Sequence, residues 1–275
     1  MSLNYSRIKI KKRYGQHFLV SKQIGYKLVE LAEVNDKDIV LEIGAGTGSL
    51  TSILKNKANK VIAVEKDPEL FEFLKRKFSF DTRVELLKGD ILEIKLPRFN
   101  KIVSTPPYNI SSKLILFIIN KKIDSATLIL QKEFAERLIA KCGTKNYGRL
   151  TVSVGRKAFV EILDYVSRNA FYPPPKVDSA IVKIIPKKSE IKLHNELFFN
   201  ELIRELFTQR RKKLKKVLAK YLEKTHSLDI ENVLLNPAVL NKRVYELSVK
   251  ELELISDKLY DEISKHNSSK GLLSD

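Results

Sequence analysis

Three glycines at alternate positions, Gly44, Gly46 and Gly48, close the short apolar run Val40-Leu41-Glu42-Ile43. A strand that ends in glycines and hands over to a helix turns sharply and lets its backbone approach a ligand at the carboxyl edge of a parallel sheet. That pattern suits a nucleotide-like cofactor. The dinucleotide fingerprint needs glycine at position 49, where this chain has Ser49, so a nicotinamide dinucleotide fits poorly. Glu65 lies 21 residues after Gly44, at the end of a second apolar run, where a Rossmann-like fold places the carboxylate that accepts from ribose hydroxyls. Asp90 follows a third run; it can accept from an exocyclic amine, or serve only as a turn aspartate after Gly89. A fourth run leads into Thr105-Pro106-Pro107-Tyr108. Two prolines force an extended backbone whose carbonyls no helix can absorb. The Pro106 carbonyl and the Tyr108 ring therefore offer a platform for a planar ring bearing an amine, with an acceptor for the amine and a face for stacking.

Such a site needs strand ends side by side. Periodicity predicts strands at 39–43, 60–64, 84–87, 101–104 and 125–130, alternating with helices at 21–33, 49–56, 68–77, 112–120 and 134–140. That alternation is the signature of an α/β, Rossmann-like sheet. Further strands are expected at 151–154, 158–162 and 180–185, the last two as an antiparallel hairpin at the sheet edge. Residues 186–189 read as a linker, and helical periodicity at 197–207, 214–222 and 249–263 predicts a small all-helical C-terminal domain. The expected domains are 1–186 and 187–275, with a disordered tail over 267–275.

Charge points to the partner. The chain carries 51 basic against 33 acidic residues, a net charge of +18, and such a field favours a polyanion, most commonly nucleic acid. Enrichment of both signs, as in hyperthermophiles, would not leave one in such excess. No acidic residue occurs before Glu30, and Lys11, Lys12 and Arg13 form part of a basic arm suited to phosphate contacts. Arg210, Arg211, Lys212, Lys213, Lys215 and Lys216 form a second, acid-free cationic run. The single cysteine, Cys142, cannot close an internal disulfide, and four scattered histidines give no metal-ligand spacing. No apolar run reaches membrane-spanning length and no secretory signal is visible. A cytoplasmic monomer with no metal and no membrane partner is expected.

Thr105-Pro106-Pro107-Tyr108 resembles the Asn/Asp-x-Pro-Tyr motif of adenine and amino methyltransferases. With Asn109-Ile110-Ser111-Ser112 it looks like the rRNA adenine N6,N6-dimethyltransferase family. Gly15-Gln16-His17-Phe18-Leu19 is similar to the family's Gly-Gln-Asn-Phe-Leu segment, and Glu42-Ile43-Gly44-Ala45-Gly46 to its glycine motif. Tyr147-Gly148-Arg149-Leu150, the segment from Phe171 to Ala180 and the one from Phe207 to Leu214 match later motifs in the same order. The stretch Gly143-Thr144-Lys145-Asn146 before Tyr147 looks like the archaeal and eukaryotic small-subunit branch, with the large-subunit macrolide-resistance branch as the nearest competitor.

The resemblance implies a class I methyltransferase fold, S-adenosyl-L-methionine as donor, and dimethylation of adenine in small-subunit rRNA or its precursor particle during ribosome biogenesis. Carried over by position, His17, Leu19, Gly44, Gly46, Glu65, Asp90 and Thr105 would contact the cofactor. Thr105, Pro106, Tyr108 and Phe171 would hold the base, Phe171 as a second aromatic face. Two residues depart from the family pattern: His17 and Thr105 each stand where the family has Asn. Because the family's Asn at position 105 accepts from the adenine amine, an RNA-binding assembly factor on the same fold is the alternative reading.

Overall fold

The computed structural model describes residues 10–11, 14–189 and 191–271. They divide into two units. The first takes the chain up to Leu138 together with Lys157–Lys187. In order it contains β1 (Phe18–Leu19), α1 (Lys22–Leu31), β2 (Ile39–Ile43), α2 (Ser49–Leu54), β3 (Lys60–Glu65), α3 (Pro68–Lys77), β4 (Val84–Lys88), β5 (Lys101–Ser104), α4 (Ser111–Ile118), β6 (Ser125–Gln131) and α5 (Lys132–Leu138). After α6 (Arg149–Lys157), which packs largely with the second unit, come β7 (Ala158–Val166), β8 (Phe171–Tyr172) and β9 (Ser179–Pro186).

Seven of these strands form one sheet in the order β4-β3-β2-β5-β6-β9-β7. The first five are parallel, while β9 runs antiparallel to both of its neighbours, β6 and β7, and forms with β7 the expected edge pair. The chain steps outward from β2 to β4, then returns to lay β5 on the other side of β2. That reversal opens a crevice beyond the carboxyl ends of β2 and β5, the position where open α/β sheets bind ligands. Buried Ser104 ties the two ends together, donating to Ile43 O at 2.6 Å and accepting from Ile43 N–H at 3.3 Å. The apolar faces of the strands bury Val40, Val61, Val103, Ile129 and Ile181 against Leu28, Leu54 and Leu74 of the helices. Asp67 starts α3 by accepting from Glu69 N–H, with Pro68 in the first turn.

The second unit comprises Ile139–Arg156 and the chain from Lys188 on. It holds most of α6 with α7 (Glu196–Thr208), α8 (Leu214–His226), α9 (Pro237–Asn241) and α10 (Val249–Gly271). Leu202, Leu206, Leu218, Leu252 and Leu259 are fully buried in its core. The Arg156 guanidinium is buried there, donating at 2.7 Å through Nη1 to Glu196 and through Nε to Glu253.

Three expectations are corrected. Residues 151–154 are helix within α6, not strand: Thr151-Val152-Ser153-Val154 alternates like a strand, but Val152 packs into the helical core and Thr151 Oγ1 accepts Gly148 N–H at the helix start. Tertiary burial overrides β-propensity here. For the same reason residues 139–156 leave the first domain, since Tyr147 and Val152 are core residues of the helical unit. Finally, α10 continues through residues 267–271, where disorder was expected; residues 272–275 lie outside the described ones. Among the described residues, no helix is long and apolar enough to cross a membrane, and no cluster could hold a metal ion.

Candidate active site

The glycine turn leaves β2 with Gly44 and Gly46 in the left-handed region, at φ +73° and +57°. A Cβ at Gly44 would stand 3.1 Å from Pro107 Cδ, and one at Gly46 would stand 3.1 Å from the Phe18 ring. Only glycine lets the turn lie this close to the platform after β5 and to the β1 segment. Val64 O accepts from Gly44 N–H and Ala45 N–H at 2.8 and 3.1 Å. Glu65, at the end of β3, accepts from Gly46 N–H through Oε2 and from Asp67 N–H through Oε1, each at 2.8 Å. Lys77 closes the turn from α3, donating to Thr47 O and Gly48 O at 2.9 Å. Burial raises the Glu65 carboxyl above its ordinary value, and the amide donors of Asp67 and Gly46 oppose that rise.

The platform follows β5. Tyr108 shares a 2.7 Å hydrogen bond between its hydroxyl and Ser179 Oγ. His17 stacks on the Tyr108 ring, centroids 5.6 Å apart and planes 27° from parallel, while its Nδ1–H donates to Pro173 O at 2.7 Å. His17, one of the two residues that depart from the family pattern, is thus fixed on two sides. Burial raises the Tyr108 phenol, with Ser179 opposing.

Turn and platform border one open cavity. His17, Leu19, Gly44, Gly46, Glu65, Asp90, Thr105, Pro106, Tyr108 and Phe171 all line it. The cofactor and base residues expected from sequence therefore converge on one space. Asp90 is committed within it, accepting from Lys66 Nζ at 2.7 Å and from Leu92 N–H at 3.0 Å, and Lys66 holds its carboxyl below the usual range. Phe171 departs from expectation. It is 4% exposed and packed in the core with Leu19 and Ile181, so it is a wall of the cavity, and the ring stacked on Tyr108 is His17.

Sequence reasoning missed Glu42, Gln16 and Ile91, which also line the cavity. Gln16 accepts from Lys11 N–H and donates to Asp67, joining the arm to the start of α3. Glu42 is buried, accepts from Thr51 Oγ1 at 2.6 Å, and is pushed up to about 8 by desolvation. An acid on an apolar strand was the available signal. At neutral pH Glu42 carries a proton that the unfolded chain, with its carboxyl near 4.5, has lost. Its contribution to stability is intact below pH 4.5 and is lost progressively as pH rises to about 8. Glu42→Gln is expected to flatten that part of the melting-temperature profile in calorimetry. A variant with the wild-type slope between those pH values would contradict the assignment.

The basic residues fare differently. Lys11 is spent internally, on Asp67 at 2.7 Å and Glu69 at 2.9 Å, and is not a free RNA contact; Lys12 and Arg13 lie outside the described residues. In the second unit, Arg210 donates to Tyr147 O at 2.5 Å and Lys145 O at 2.7 Å, so it too is structural. Lys212 donates to Gln209 and Lys213 to Asn241, leaving Arg211 exposed. A run of like charges in sequence becomes several separate local roles in the fold.

The family model for ribosomal RNA adenine dimethylase matches residues 7–257. The chain belongs to this family. Within it, the Thermococcus onnurineus protein named "Probable ribosomal RNA small subunit methyltransferase A" is 41% identical over 247 residues, covering 88% of this chain and 89% of that protein. The crystal structure of a dimethyladenosine transferase from Plasmodium falciparum superposes with a TM-score of 0.77 at 33% identity, covering 91% of this chain and 98% of the other. The 23S rRNA methyltransferase ErmE superposes with a TM-score of 0.63 at 25% identity, covering 90% and 99%. The sheet-bearing first unit has the class I methyltransferase fold, and a helical C-terminal part follows it.

Proposed function

We infer that the protein transfers methyl groups from S-adenosyl-L-methionine to N6 of adenine in small-subunit ribosomal RNA, twice per adenosine, in ribosome biogenesis. One observation carries the reading: a single cavity at the strand-order reversal joins the glycine turn and Glu65 to the Thr105–Tyr108 platform. Identity favours the small-subunit branch, at 41% to a relative of that name against 25% to the 23S rRNA enzyme.

The residues present fit the methyl donor. Gly44 and Gly46 leave a cradle that a Cβ would fill, and Glu65 stands at the end of β3 where a ribose would meet it. Bound there, S-adenosyl-L-methionine supplies a methyl group activated by a sulfonium. Glu65 would accept from the ribose and Asp90 from the adenine amine of the donor, and His17 and Leu19 would close the cradle.

The target adenine reaches this space by leaving its stack, and the Tyr108 ring holds it by stacking. Its amine is a weak nucleophile because the lone pair is delocalised into the ring. The Pro106 carbonyl and the Thr105 hydroxyl accept amine hydrogens, localising the lone pair on nitrogen and aiming it. Since the amine reacts as a neutral group, no residue has to remove a proton beforehand. The chain's contribution is positioning, for which effective molarities supply about 7–11 kcal/mol.

Threonine is shorter than the family's asparagine, and the second transfer leaves one amine hydrogen to hold. Mass spectrometry of rRNA digested after incubation of unmethylated small subunits is expected to show N6,N6-dimethyladenosine with wild-type protein. Thr105→Asn is expected to raise the ratio of dimethyl to monomethyl product about two-fold or more, the equivalent of a few tenths of a kcal/mol. An unchanged ratio would remove this role of Thr105, and no N6-methylation by the wild type would favour the assembly-factor reading.

A further inference from the structure

In the first unit a groove opens between the connection from β4 to β5, residues 91–99, and the turn that follows α4, residues 117–123. It shares Ile91 with the cavity of the candidate active site and no other lining residue. Eight of its twelve lining residues are apolar, and the other four, Lys95, Arg98, Lys121 and Lys122, are cationic. The two kinds are layered. Leu96, Phe99, Phe117 and Ile123 are half-buried and form a floor, while all four cations are exposed and form a rim. The wall on the β4 side is preformed, because Asp90 O accepts from Glu93 N–H and Ile94 N–H, each at 3.0 Å, and Ile94 packs so closely on Gly89 that a Cβ there would overlap it. Residues 95–99 then belong to neither helix nor strand, and among the described residues none hydrogen-bonds to their backbone. This strap offers its N–H and C=O groups to whatever lies along it. Among the described residues, Lys95, Arg98 and Lys122 have no ion-pair partner, and Lys121 stands over the Phe117 ring at 4.5 Å.

We propose that this groove docks an extended acidic segment of a partner protein, whose apolar side chains reach the floor between carboxylates that meet Lys95, Arg98, Lys121 and Lys122. Charge complementarity sets the sign of the partner, since the rim carries four cations and no acidic residue lines the groove. The recessed floor sets its kind. A phosphate backbone satisfies the rim and leaves the apolar floor uncovered, and Lys121 occupies the face of Phe117 on which a base would stack. A lipid surface calls for apolar side chains that protrude past the cations, and here the cations protrude. An extended peptide meets both layers at once, with alternate side chains in the floor and its main chain paired to the strap.

The test is fluorescence anisotropy of the full-length protein with a labelled, end-capped peptide of alternating Glu and Leu, with melting temperature and rRNA affinity measured in parallel. Saturable binding is expected. Lys95→Glu combined with Arg98→Glu is expected to weaken it about ten-fold or more, since two attractions become repulsions. The melting temperature of that variant stays at the wild-type value, because both side chains are exposed and unpaired. Leu96→Ala is expected to weaken binding about five-fold by removing part of the floor. Lys220→Glu combined with Lys224→Glu makes the same change in net charge at exposed positions of the second unit, and is expected to change peptide affinity less than about two-fold. No saturable binding, or equal losses in the two charge variants, would overturn the docking surface. So would binding that survives Leu96→Ala unchanged, which would leave net charge as its cause. A loss of rRNA affinity in Lys95→Glu with Arg98→Glu, with peptide affinity unchanged, would make the groove an RNA contact and overturn the proposal. Binding of the wild type to phosphatidylglycerol vesicles in place of the peptide, abolished by the same variant, would overturn it in favour of a lipid surface.

Discussion

Glu65→Ala is expected to weaken binding of S-adenosyl-L-methionine about 150-fold, as read by titration calorimetry. Two hydrogen bonds from ribose hydroxyls to a charged acceptor, at about 1.5 kcal/mol each, come to about 3 kcal/mol, which is that factor. The carboxylate also holds the turn, since Gly46 N–H and Asp67 N–H both donate to it at 2.8 Å. Removing it leaves two amides to find new partners, at about 1–3 kcal/mol each if they fail. Glu65→Gln is the companion that separates the two effects, because its one acceptor oxygen can still serve an amide. It is expected to melt closer to wild type and still bind the donor poorly, having lost the charge and one of two acceptors. Wild-type donor affinity in a folded Glu65→Ala protein would mean that the end of β3 does not hold the ribose.

Tyr108→Ala is expected to lower kcat/KM for rRNA methylation about 10- to 100-fold, or about 1.4–2.7 kcal/mol, within the 1–3 kcal/mol that stacking of one base on an aromatic ring contributes. The same change frees His17 from its stacking partner and Ser179 from its 2.7 Å hydroxyl contact. Tyr108→Phe controls for that, since it keeps the ring and drops only the bond to Ser179. Its activity is expected within about five-fold of wild type, the size of one neutral hydrogen bond. Donor affinity should move little in either variant if the ring serves the target base. Full activity in Tyr108→Ala would remove the ring from the site; equal losses in both variants would point to the hydroxyl.

How much of this was legible in the sequence depends on how local each signal is. Strands β2 and β5 and helix α3 fall on the residues expected, because apolar runs bounded by charged residues and an Asp-Pro start are decided within a few residues. The glycine turn, Glu65 and the Pro-Pro-Tyr platform are equally local, and the sheet topology brings them together once the strand ends are in place. Long-range pairing was not legible. Nothing near Lys11 in sequence announces Asp67, and nothing near Arg210 announces the carbonyls of Lys145 and Tyr147. The same blindness turned α6 into a strand, since Thr-Val-Ser-Val reads as alternation until the helical core that receives Val152 is known. Phe171 shows the limit of motif reasoning: its position in the motif marks it as part of the site, while its 4% exposure makes it a wall packed with Leu19.

The arrangement we propose is one crevice at the strand-order reversal that holds the methyl donor and a flipped adenine of small-subunit rRNA side by side. It is tested most directly by offering the protein a mixture of unmethylated small and large ribosomal subunits with isotopically labelled S-adenosyl-L-methionine, then mapping the label nucleotide by nucleotide. Label confined to N6 of adenines in small-subunit rRNA is the expected result. Label in large-subunit rRNA, on another atom, or nowhere would contradict it.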